Sequence, residues 1–106
     1  MNNDQEQMQF EFRGHASSLF FTLYHGFETA VSNVSRRNDE FRFQQLKKQY
    51  AATMEQELQT IAKDVLAKHR NEQQVNQMDQ MFGQFIKDYL HRFIQKVNDI
   101  WSKARA

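Results

Sequence analysis

"SSLFFTLYHGFETAV", residues 17–31, brings Phe20, Phe21, Tyr24 and Phe27 within about two helical turns of one another. Leu19, Phe20, Leu23 and Phe27 are spaced by ones, threes and fours, the rhythm of one helix face rather than of a strand. Phe21 and Tyr24 fall on a different side of the same helix. Followed outward, Met8, Phe12, Ala16, Ala30, Val31 and Val34 keep the same rhythm. A first helix is therefore expected over about residues 4–36, with Gly14 either carried within it or marking a break, and with Asn3 and Glu6 of "NDQE" at capping-box spacing.

The same reading organises the remainder. "SRRND", residues 35–39, interrupts the pattern and offers Asn38 or Asp39 as an N-cap. A second helix, over about residues 39–69, carries Phe43, Leu46, Tyr50, Met54, Leu58, Ile61 and Val65 on one stripe, with Ala51, Ala62 and His69 at its edge. "HRNEQQ", residues 69–74, is polar and supplies Asn71 for a second turn. A third helix, over about residues 74–103, shows Val75, Met78, Phe82, Phe85, Ile86, Tyr89, Leu90, Phe93, Ile94, Val97, Ile100 and Trp101. With no proline and three glycines, few breakers oppose this. Helices of about 30 residues are about 45 Å long, and short turns make successive helices antiparallel neighbours. The expected fold is all-α: three long antiparallel helices in an up-down-up bundle, a single helical domain over residues 1–106, associating into a dimer.

Bulk properties limit the function. At 106 residues the chain has the size of one domain. A formal charge of +1 gives no bulk electrostatic case for nucleic acid, membrane or an acidic partner. The absence of cysteine excludes disulfides, thiolate zinc sites and cysteine nucleophiles, and leads us to expect a cytoplasmic location. "MNNDQEQMQ" has neither the basic nor the apolar region of a signal peptide, and no stretch approaches the roughly 18 apolar residues of a membrane span. Fourteen Gln and seven Asn lower the mean hydropathy to −0.85, while ten Phe predict an aromatic core.

Two helices carry more apolar surface than one buried stripe of about 100° requires. Helix 2 fills an arc of about 120–160°, helix 3 roughly 180°, and helix 1 about 220° when Phe10, Phe21 and Tyr24 are included. Part of this excess is core, because each helix of a three-helix bundle touches both others. The rest predicts a second apolar surface formed by Phe10, Phe21, Tyr24, Ile94 and Trp101 and covered by another chain, with a homodimer the simplest product.

The sequence holds little chemistry. His25 with Glu28, and Asp88 with His91, stand at i, i+3, but both pairs project from polar arcs, and His15 and His69 have no close histidine. A di-metal bundle site needs Glu-x-x-His on two helices plus two further carboxylates, all facing inward. No metal or other cofactor is expected. There is no nucleophile elbow, phosphate loop, dinucleotide fingerprint or H-E-x-x-H, and long helices with short turns leave little cleft, so no enzymatic activity or small-molecule substrate is expected. A nucleic-acid-binding regulator is the alternative, through Arg36, Arg37, Arg42, Lys47 and Lys48 around the first turn, although Asp39 and Glu40 stand among them. A further alternative, a chaperone-like bundle holding a client helix, shares the aromatic surface.

"LFFTLYHGFETAV", residues 19–31, locally resembles the first helix of flagellin export chaperones, in which a Leu-Tyr-x-Gly stretch sits in a small helical bundle. The resemblance covers about a dozen residues, and the Asn-Pro-Tyr start of that family is absent. The residues themselves point to a non-enzymatic protein-interaction module with an aromatic helix face, acting as a small regulatory or accessory protein.

Overall fold

Three helices make up the described residues: α1 (Asn3–Ser35), α2 (Glu40–Lys68) and α3 (Glu72–Arg105). The computed structural model describes the backbone of residues 3–35, 39–68 and 72–105, and the side chains of residues 6–34, 39–68 and 78–103. Arg36, Arg37, Asn38, His69 and Asn71 lie outside the described residues, as do the side chains of Asn3 and Val75. Each helix packs against both others, giving an all-α three-helix bundle with overall dimensions 54 × 18 × 16 Å.

Local chemistry accounts for the helix limits. Asp39 is the N-cap of α2: the Arg42 backbone N–H donates to its Oδ1 at 3.0 Å, and the Phe43 N–H donates to its carbonyl at 3.1 Å. Glu40 in the first turn and Lys68 in the last complement the helix dipole. α1 runs unbroken through Gly14, where a β-carbon would meet nothing within 4 Å. Gly26 has a closer neighbour, since a β-carbon there would lie 3.4 Å from the Tyr50 hydroxyl.

The chain runs up, down and up, so α1 and α3 are parallel and α2 opposes both. Phe12 on α1 meets Phe82 and Phe85 on α3, Phe20 meets Tyr89 and Phe93, and Tyr24 lies level with Lys96. In the opposite sense, Phe43 of α2 stacks on Trp101 of α3 at 4.5 Å and Lys47 reaches Asn98. The core is a column of rings and thioethers. Phe12 stacks on Phe82 at 4.6 Å, and Phe27 meets Phe43, Tyr50 and Phe93 edge to face at 5.8, 5.5 and 6.1 Å. Met8, Met54 and Met78 fill the remaining space. No polar or charged side chain among the described residues belongs to this core.

Phe43, Met54, Leu58 and Val65 of the expected α2 stripe are buried, as is Ala62 at its edge. Leu46, Tyr50 and Ile61 are partly buried against the core. The apolar arc of α3 is wide because it faces two neighbours. Met78 is buried at one end of the helix, and Trp101 is buried between the helices at the other. No described helix is long and apolar enough to cross a membrane.

Candidate functional site

Of the ten phenylalanines, Phe12, Phe27, Phe43, Phe82 and Phe93 are buried and Phe20 and Phe85 are partly buried. Phe10, Phe21 and Phe41 remain, at 81%, 65% and 73% exposure. These three decide where the molecule presents apolar surface.

Phe10 and Phe21 belong to one side of α1. Eleven residues at 100° each bring them within about 20° of one another, roughly 16 Å apart along the axis. Between them, over Gly14 and Ser17, the surface dips into a shallow hollow of about 420 Å³ bordered by Phe10 and Arg13. Ser17 then leads into a furrow of about 430 Å³ between α1 and α3. Its α1 wall is Phe20, Phe21, Tyr24 and His25, and its α3 wall is Tyr89, Arg92 and Lys96. The Ser17 and Tyr89 hydroxyl oxygens, 3.4 Å apart, bridge the two walls. A third hollow continues from Tyr24 and Lys96 past Glu28 and Asp99 to Lys103. The furrow and the third hollow share Tyr24 and Lys96 and follow the α1/α3 seam, whereas the hollow beside Phe10 is lined by α1 residues and meets the furrow at Ser17.

Electrostatics follow from this placement. The Lys96 ammonium lies 5.2 Å from the Tyr24 ring centre and 5.8 Å from that of Phe20, within cation–π range of both. Burial raises the Tyr24 phenol above its ordinary pKa, and the carboxylates of Glu28 and Asp99 push in the same direction by disfavouring the phenolate. His25 packs edge-on against Phe21 at 4.2 Å and pairs through Nδ1 with Glu28 Oε1 at 3.2 Å. Both members of that pair are about half exposed, so it contributes about 0–1 kcal/mol.

The five expected anchors do not form one surface. Phe21 and Tyr24 line the α1/α3 furrow, and Phe10 borders the adjoining hollow on α1. Ile94 instead borders α2, in a hollow with Phe41, Lys47, Lys48 and Ala51 on the α2/α3 side. Trp101 is a core residue, 6% exposed and stacked on Phe43. Its place at the edge of the α3 arc is where α2 packs, which corrects the expectation that it faces outward. Phe41 is absent from the expected anchors. Its signal is present in the sequence, since it lies about 200° around α2 from Phe43 and hence off the buried stripe.

The basic cluster is also dispersed. Arg36 and Arg37 lie outside the described residues, while Arg42 and Lys48 are exposed. The Lys47 ammonium donates to Asn98 Oδ1 at 3.3 Å and lies 5.7 Å from the Phe43 ring centre, engaged within the bundle. Asp88 and His91 are exposed on α3. No group of three or more His, Cys, Asp or Glu side chains suited to a metal ion occurs among the described residues.

No protein-family model matches this chain, and no curated protein or solved structure matches it significantly.

Proposed function

We propose that this protein is a non-enzymatic protein-interaction module that self-associates through the aromatic α1/α3 side, in keeping with a small regulatory or accessory protein. The observation that carries the reading is Phe21, 65% exposed and flanked by Tyr24 and His25 at the mouth of the furrow. Burying a phenylalanine side chain contributes about 1.5–3 kcal/mol, which this chain realises at its core positions and forgoes at Phe21 and Phe10. Large exposed apolar patches on a monomer mark interaction sites, and Phe21 with Tyr24 and Phe20 in the furrow forms the aromatic cluster of this side. Long parallel helices with a groove between them accept a helix face by side-chain interdigitation. One side of a rod 54 Å long and 18 Å wide has room for the ~800 Å² that each partner buries in a standard interface.

The nucleic-acid reading has weaker support, because Lys47 is engaged within the bundle and Asp39 and Glu40 dilute the charge beside Arg42. A gel-shift experiment in low salt is expected to show no complex.

Sedimentation velocity on the wild type, Phe21→Glu and Phe41→Glu tests the proposal. Phe21→Glu is expected to abolish self-association with unchanged thermal stability of the monomer, and Phe41→Glu, on the other side, to leave it intact. Association that survives Phe21→Glu and is lost in Phe41→Glu places the interface on the α2/α3 side and refutes the proposal.

A further inference from the structure

The charge order along the α1/α3 groove bears on how two copies would meet, an inference that rests on the self-association reading above. On α3, Arg92, Lys96 and Asp99 lie within about 60° of one another, and Arg92 precedes Asp99 by seven residues, roughly 10.5 Å along the axis. Among the described residues, no carboxylate lies within ion-pair distance of Arg92 or Lys96, and no cation lies within that distance of Asp99. Arg92 and Lys96 form an i, i+4 pair of like charge, an arrangement that weakly opposes helix formation in an isolated chain. Lys103 lies in the same arc and shares the hollow with Asp99, so the exposed line along α3 reads Arg92, Lys96, Asp99, Lys103, and an inverted copy that sets Arg92 against Asp99 sets Lys103 level with the exposed Asp88.

We propose that two copies pack their α1/α3 sides antiparallel about a two-fold axis perpendicular to the helices, with Arg92 of each copy opposite the partner's Asp99. The axis then crosses α3 midway between residues 95 and 96. Its level on α1 follows from contacts within the chain: Ser17 meets Tyr89 and Tyr24 meets Lys96 across offsets of 72 residues, Phe20 meets Phe93 across 73 and Phe20 meets Tyr89 across 69. The axis therefore crosses α1 between about residues 22 and 27. A two-fold axis at residue 23 brings Phe21 opposite the partner's His25, and within each chain those two rings already pack edge-on at 4.2 Å. Four rings, two from each copy, gather at the centre, where anchor residues concentrate in tight interfaces, and two Arg–Asp pairs flank them. Lys96, nearest the axis, is drawn over the Phe20 and Tyr24 rings of its own chain, away from its symmetry mate.

Two-fold symmetry makes this register testable by charge exchange. Arg92→Glu sets the introduced carboxylate against the partner's Asp99 at both flanking positions. Asp99→Arg likewise sets the introduced guanidinium against the partner's Arg92, twice. Each variant alone is expected to weaken the dimer by about tenfold or more in Kd. In the heterodimer of an equimolar mixture, one flank is the native Arg–Asp pair and the other is its charge-exchanged equivalent. Both flanks are then attractive, so near wild-type affinity is expected by sedimentation equilibrium. Circular dichroism on each variant verifies that the helices are intact, and both substitutions are at exposed positions. A dimer that Phe21→Glu disrupts but that shows no rescue in the mixture overturns the register alone. A wild type that remains monomeric at high micromolar concentration overturns both the register and the self-association reading.

Discussion

Phe21 and Phe27 stand six residues apart on α1, about 120° around the helix, and experience opposite environments. Phe27 is fully buried among Phe43, Tyr50 and Phe93. Phe27→Ala is expected to cost about 3–5 kcal/mol in urea unfolding, because the rings around the void cannot all collapse into it. A loss below about 1 kcal/mol contradicts this packing. Phe21→Ala removes a side chain that the isolated chain leaves in water, so the monomer should change by no more than about 0.5 kcal/mol. Tyr24 adds a pH signature. Its phenol titrates above the ordinary value of 10.0, through burial first and then Glu28 and Asp99. Above that value the unfolded state loses its proton while the folded state retains it, so this contribution to stability declines as pH rises toward the folded pKa. An alkaline absorbance titration should show one tyrosine ionising after the unfolded-state range, a component that Tyr24→Phe removes.

Each helix is legible in the sequence because it signals itself by pattern. The threes and fours of Phe12, Ala16, Phe27 and Val31 survive directly as burial. Asp39 is one of two cap candidates in the sequence, and the hydrogen bond from the Arg42 N–H selects it. Asp39→Ala is expected to destabilise the fold by about 1 kcal/mol, with Asp39→Ser recovering most of the loss. Gly14 interrupts nothing, since a helix already fixed by Met8, Phe12 and Ala16 absorbs one unfavourable residue. Nothing lies within 4 Å of an added methyl there, so Gly14→Ala should stabilise the protein by about 1 kcal/mol in a thermal melt. Pattern alone does not provide rotation about the helix axis. Trp101 and Ile94 both sit at the edge of the α3 arc, and only the packing of α2 shows that one is covered and the other borders a hollow.

Across the assembled bundle, the surplus of apolar surface is legible in the sequence but its division is not. Phe10, Phe21 and Tyr24 share one side of the rod, whereas Ile94 joins Phe41 on another. That separation depends on three helix rotations at once, and no single-helix pattern contains it. Arg92, Lys96 and Asp99 read in sequence as an ordinary mixed-charge face, since the aromatic furrow beside them exists only when α1 packs parallel to α3. Everything proposed for this side depends on its being covered by a second copy. Light scattering on the wild type over a rising concentration series decides that point. The molar mass should climb from 12.8 kDa toward about twice that value, and stay at the monomer value in Phe21→Glu. A wild-type mass fixed at 12.8 kDa throughout would contradict it.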